Sequence, residues 1–195
     1  MIKPVIPRSK PVSTVDRLLS LPAVFTLKEL RGIGLEGNHL HTFLLRAEEA
    51  ERIAPVGKRT GAYFNLIVDP KGPTNRRLEA VRKLYPSAVL GGTAVLHAAG
   101  WVTQIPQTYD VMVRYRRSIK SIHSVKLLLR PRSWYEAQMQ AGNIIHETES
   151  DFGIATLTPK AALEDAKEHK DSWVPDDDDL DIDEKDLFDA FAMTP

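Results

Sequence analysis

Two adjacent cations, Lys58 and Arg59, sit inside the run Gly57-Lys58-Arg59-Thr60-Gly61, and the residues from Ile53 to Asn65 read as two short strands on either side of it. Cations on a glycine-bracketed hairpin tip can reach phosphates or a DNA minor groove. Just upstream, from about Asn38 to Ala50, Leu40, Phe43, Leu44 and Ala47 recur at helical spacing and predict one buried stripe. That stripe leaves Asn38, His39, His41 and Thr42 on the front half of the helix, side chains able to donate to or accept from base edges. Arg46 could clamp a phosphate. Glu48, Glu49 and Glu51 make the far end acidic, so only the front half is suited to approach a polyanion.

Other motifs lose their chemistry when their context is read. Gly32-Ile33-Gly34-Leu35-Glu36-Gly37 matches the glycine spacing of dinucleotide sites, but a helix precedes it where a strand is required. The glycines are better read as a turn between two helices. Asp151-Phe152-Gly153 lacks the strand lysine and catalytic loop that give this tripeptide meaning in kinases. His39 and His41, two apart on a helix, point away from each other and form no metal pair. His97 has no nucleophile near it in the pattern. No enzyme, metal site or cofactor is therefore expected.

The elements that must position these residues follow from periodicity and punctuation. Residues 1–13, with three prolines and three cations, predict a flexible basic arm. A helix from Thr14 to Leu21, a second over Leu27–Arg31 capped by Thr26, the glycine turn, the third helix and the basic hairpin give winged helix-turn-helix order over residues 14–69. Asp69-Pro70-Lys71-Gly72-Pro73 reads as a linker. A second domain over residues 74–170 is expected to hold a helix from Leu78 to Tyr85 and a small-residue helix over residues 91–100. A strand over residues 109–115, with one buried and one basic face, indicates an antiparallel sheet. Further strands are expected at residues 124–129, 143–147 and 153–157, then a helix opened by Thr158-Pro159. The fold class is α+β: an N-terminal winged helix-turn-helix followed by a mixed α/β domain with an antiparallel sheet.

Charge divides the chain. Residues 1–132 hold 22 Lys and Arg against 9 Asp and Glu; residues 133–195 hold 4 against 17, so a net charge of zero hides a basic body and an acidic end. The second domain has its own basic set: Arg76, Arg77, Arg82 and Lys83, then Arg114, Arg116, Arg117, Lys120, Lys126, Arg130 and Arg132. Residues 171–195 carry ten acids, interleaved with Leu187, Phe188 and Phe191, and predict an acidic tail able to compete for the basic surface or dock a partner. With 43% hydrophobic residues and no cysteine, disulfide scaffolds and thiolate zinc sites are excluded. No stretch approaches the ~20 apolar residues of a membrane helix, which with the cysteine count suggests a cytoplasmic protein with no membrane partner.

Gly92-Thr93-Ala94-Val95-Leu96-His97-Ala98-Ala99-Gly100-Trp101, Gln104-Ile105-Pro106, the strand over residues 109–115 and Thr158-Pro159-Lys160-Ala161-Ala162-Leu163-Glu164-Asp165 occur in the order and spacing of the AbiEi-type antitoxins of type IV toxin–antitoxin systems. The chain resembles that family over most of residues 15–170. Thr93 stands where serine is usual, and Lys160-Ala161 replaces the usual basic placement. The resemblance implies an autorepressor whose winged helix binds the duplex DNA of its operator. It also implies a C-terminal domain that counteracts a cognate nucleotidyltransferase-like toxin, directly or through its substrate. The antitoxin surface suggested by charge is Arg114, Arg116, Arg117 and Lys120. Two other functions fit the same residues: a winged-helix transcription factor with a ligand-sensing or dimerisation domain, and an RNA-binding protein.

Overall fold

A computed structural model describes residues 13–114 and 121–181. The chain divides into two units, Met1–Pro55 with Gly61–Arg76, and Val56–Thr60 with Arg77–Pro195.

The first unit is built around a cluster of Leu18, Leu21, Phe25, Leu30, Leu35, Leu40, Phe43, Ala47 and Ile53. Helix α1, Thr14–Leu19, starts at Ser13, whose hydroxyl accepts from the Asp16 N–H. Ser13 is thus a helix cap and not part of a free arm; the rest of the expected arm, residues 1–12, lies outside the described residues. Strand β1, Val24–Thr26, leads directly into α2, Leu27–Gly32, where the Thr26 N–H donates to Glu29 Oε2 at 2.7 Å. This is one half of a capping box, and it fixes the helix start. Gly34 and Gly37, at φ 83° and 51°, turn the chain into α3, Gly37–Glu49. Strands β2, Ile53–Pro55, and β3, Ala62–Asn65, pair antiparallel, and β1 adds to β3 to give the order β1-β3-β2.

Asn65 locks this unit together. Its fully buried amide donates to the Leu18 carbonyl at 2.7 Å, satisfying an end-of-helix acceptor of α1 from the sheet. The Pro/Gly stretch after β3 is not a linker, as the sequence suggested, but folds back on the unit. Asp69 accepts from the Lys71 N–H and from Arg76 Nε at 2.9 Å, Gly72 packs on Phe64, and Gly72–Asn75 forms the short helix α4. The boundary therefore falls at Arg76, past the expected 69–74, because local hydrogen bonding by Asp69 ties the residues after it to the sheet that precedes them.

The second unit begins with α5, Arg77–Leu84, followed by β4, Val89–Gly91, α6, Gly92–Ala98, and β5, Tyr109–Val113. Strand β6, Val125–Leu129, helix α7, Arg132–Gln140, strands β7, Ile144–Ile145, and β8, Thr156–Leu157, and helix α8, Pro159–His169, complete it. The five-stranded sheet has the order β6-β5-β4-β8-β7. It is mixed: β4 pairs antiparallel with β5 and parallel with β8, while β5 and β6 are parallel. The expected antiparallel sheet is therefore met in part: β4–β5 and β7–β8 are antiparallel, and the other two pairs are parallel. Helix α6 packs against β4, β5 and α8. Leu90, Leu96, Val111, Met112, Val113, Ile154 and Leu157 form the core between them.

Two expectations for this unit change. Strand β5 stops at Val113, and Asp110 through Val113 are all buried, so the strand has no basic face; it is an inner strand covered on both sides. The proposed tail does not begin free at residue 171: Asp171 joins a buried cluster, and the Asp181 N–H donates to the Trp101 carbonyl at 2.9 Å.

Candidate nucleic-acid interface

Helix α3 forms because Leu40, Phe43 and Ala47 lie one above another on the face turned to the core, with Leu44 beside them. The opposite face is fixed by the same geometry. Asn38, His39, His41, Thr42 and Arg46 are all exposed there, as is Leu45. Successive exposed positions fan around the helix: Asn38, Thr42 and Leu45 hold the centre, His41 one flank, and His39 and Arg46 the other. Within α3 the acids Glu48 and Glu49 come only at the C-terminal end, after these six groups, while the exposed Glu36 stands at the N-cap.

The His39–Arg46 flank borders an open groove of about 410 Å³ between α1 and α3. Leu35 and Phe43 line its apolar part, and Arg17 of α1 faces the same space as His39, Thr42 and Arg46. Among the described residues no acid lines it. Neither Arg17 nor Arg46 has an ion pair among the described residues. Arg17 was not singled out in the sequence, where it is one cation on a short helix. Only the packing of α1 beside α3 brings it into register with Arg46.

At the β2–β3 hairpin, Lys58 and Arg59 are both exposed. Arg59 occupies the left-handed region at φ 58°, and Thr60 closes the turn with its hydroxyl donating to the Gly57 carbonyl at 2.9 Å. The buried Thr60 is the structural residue of the tip, which leaves its two cations to solvent.

The second unit separates its cations. Arg114 lies exposed just past the end of β5, its guanidinium 5.5 Å from the centroid of Tyr135. Arg116, Arg117 and Lys120 lie outside the described residues, so the expected four-residue surface is described only at Arg114. Arg130, expected on the basic surface, is instead buried in an ion-pair cluster. Its Nε and Nη2 donate to the two oxygens of Asp165 at 3.0 and 2.7 Å, and its Nη1 and Nη2 donate to Asp171 at 2.7 and 2.9 Å. Nη1 also donates to the Leu129 carbonyl, and Trp134 Nε1 donates to Asp165 Oδ1 at 2.8 Å. Burial pulls the guanidinium down, but the hydrogen bonds of Asp171 and Asp165 outweigh it and hold Arg130 above its ordinary range, while Arg130 holds Asp171 below its own. Asp110, buried nearby, is raised by desolvation against the pull of Lys126. No spacing in the sequence pairs Arg130 with Asp165 and Asp171, which are 35 and 41 residues away.

His97 is half-buried on α6, and among the described residues no three His, Asp or Glu side chains gather as a metal site. No known protein family and no curated protein matches the chain. Among solved structures it is similar to the crystal structure of the RV2827C protein from Mycobacterium tuberculosis, with a TM-score of 0.56 at 13% identity over 93% of this chain and 70% of that one. That likeness extends to the fold alone.

Proposed function

We propose that residues 14–69 are a winged helix-turn-helix that binds duplex DNA, with α3 in the major groove and the tip between β2 and β3, which carries Lys58 and Arg59, as the wing. The observation that carries this reading is the solvent face of α3. Asn38, His41 and Thr42 can hydrogen-bond to base edges, Leu45 can meet a thymine methyl, and His39 and Arg46 flank them toward the backbone. The helix–strand–helix–helix–strand–strand order supports it, since this arrangement sets a helix and a hairpin tip where each can enter a groove. Following the resemblance to AbiEi-type antitoxins, the chain acts in the cytoplasm as an autorepressor and antitoxin. It is not an enzyme, and its second unit opposes a nucleotidyltransferase-like toxin through Arg114 and the neighbouring Arg116, Arg117 and Lys120. Such a cluster would meet acidic carboxylates on the toxin or compete for its nucleic-acid substrate.

Binding to a mixed-sequence duplex measured against salt concentration tests the DNA reading. The Lys58→Ala/Arg59→Ala protein should lose about two phosphate contacts, flattening the slope of log affinity against log salt by ~1.8. His41→Ala and Thr42→Ala should leave that slope intact and alter sequence preference. An unchanged slope in the double variant removes the wing from the interface. Toxin co-expression separates the second role: the wing variant should still rescue growth, and Arg114→Glu/Arg116→Glu should not.

A further inference from the structure

We propose that the groove between α1 and α3 is a phosphate-binding site, occupied by a backbone phosphate of bound DNA, with Arg17 as a ligand that the recognition helix does not itself supply. The proposal rests on the DNA-binding reading and adds to it a place and a partner for one phosphodiester. Four observations converge. The polar wall of the groove is made of donors: the guanidinium groups of Arg17 and Arg46, the His39 ring and the Thr42 hydroxyl. Among the described residues no carboxylate lines it, so none of them competes there with an incoming anion. Both guanidinium groups lack ion pairs among the described residues, whereas Arg76, Arg82, Arg130 and Arg132 are each committed to a carboxylate. The volume, about 410 Å³, falls within the ~300–1,000 Å³ of small-ligand sites and suits a phosphate together with its sugar better than a bare ion.

Position decides the source. The groove adjoins the His39–Arg46 flank of the helix face proposed to read bases, so a strand running beside α3 would carry a phosphate past it. Two arginines from different helices then hold that phosphate by paired N–H donation, the geometry that guanidinium groups favour for phosphate oxygens. Because Arg17 comes from α1, the contact reports on the seating of the whole unit on the duplex and carries no sequence information.

The test uses the full chain. The side-chain Nε–H resonances of Arg17 and Arg46 are followed by NMR during titration with a mixed-sequence DNA duplex and, separately, with inorganic phosphate. Salt dependence of duplex binding is measured for the wild-type protein, Arg17→Gln and Arg46→Gln. Both resonances should shift with duplex, and each variant should flatten the salt slope, by no more than the value of about 0.9 for the one phosphate they share. If phosphate shifts both resonances while the duplex does not bind, the site stands with a free phosphate as its ligand and the DNA reading falls. If the duplex binds and moves α3 amides, yet both arginine resonances stay in place and both variants keep the full slope, the groove proposal is overturned and the DNA reading survives. Arginine resonances unmoved by either titrant overturn it outright.

Discussion

Arg130 has five N–H donors, and its bonds to Asp165, Asp171 and the Leu129 carbonyl use every one. A buried cation so fully satisfied specifies one arrangement of β6, α8 and the residues after α8, and it leaves none of its charge for a ligand. Removing it alone strands Asp165, which is as buried as Arg130 itself. Arg130→Met should therefore cost about 3–5 kcal/mol in chemical denaturation, and adding Asp165→Leu should recover most of that loss, because the uncompensated charge goes with its partner. Asp110 behaves oppositely. Its carboxyl is raised by burial, so the stability linked to it is full below the unfolded value of 3.8 and is lost as pH rises through the folded value. Asp110→Asn should then be more stable than the wild type at neutral pH, with the difference vanishing below pH 3.8. A denaturation series in which the gap grows on acidification would contradict the burial of that charge. Gly92 leaves no choice of neighbour here: it sits at φ 60°, and a Cβ on it would lie 2.5 Å from Asp110 Oδ2.

At the scale of elements, Arg59 ties conformation to binding. A non-glycine residue in the left-handed region carries strain of about 1–2 kcal/mol, partly offset in a glycine by its larger unfolded-state entropy. Arg59→Gly should raise stability by up to about 1 kcal/mol while flattening the salt slope of DNA binding by about 0.9. Equal stability with an unchanged slope would mean that the tip is neither strained nor in contact. Helices α1, α2 and α3 and the β2–β3 hairpin were legible in the sequence because local signals mark them: Thr26 and Glu29 at a helix start, glycines at 34 and 37, and a 3.6-residue stripe from Leu40 to Ala47. Strand β1 and helix α7 were not. Three residues are too few for a strand period to show, and α7 follows Pro131 with Trp134 and Tyr135 as its only buried anchors. The alternation from Tyr109 to Tyr115 reads as a half-exposed strand with a basic face, yet β5 is covered on both faces; its basic residues begin where the strand ends. The candidate site divides the same way. The α3 residues follow from helical period alone, whereas Arg17 enters through the packing of α1 and Arg130 leaves through contacts more than thirty residues away.

For the whole molecule, the division into a basic body and an acidic end is less sharp than the counts suggest. Among the described residues Arg76, Arg82, Arg130 and Arg132 pair with carboxylates, and the first acid of the tail is spent on Arg130. Ending the chain at Lys170 would thus remove a structural ligand together with the tail charge, confusing stability with electrostatics. The run Asp176–Asp179 separates the two. It follows the Asp171 anchor and precedes the Asp181 N–H bond to Trp101, and Asp176, Asp178 and Asp179 are exposed, so replacing all four by Asn removes charge without touching either tether. If the acidic end competes with DNA for the remaining cations, this variant should bind a mixed-sequence duplex more tightly than the wild type at low salt. The advantage should shrink as ionic strength rises and the Debye length falls from ~30 Å at 0.01 M to ~8 Å at 0.15 M. Its denaturation midpoint should match that of the wild type. Equal affinity at low salt, with the fold intact, would leave the acidic end no part in DNA binding and would make a separate partner its function.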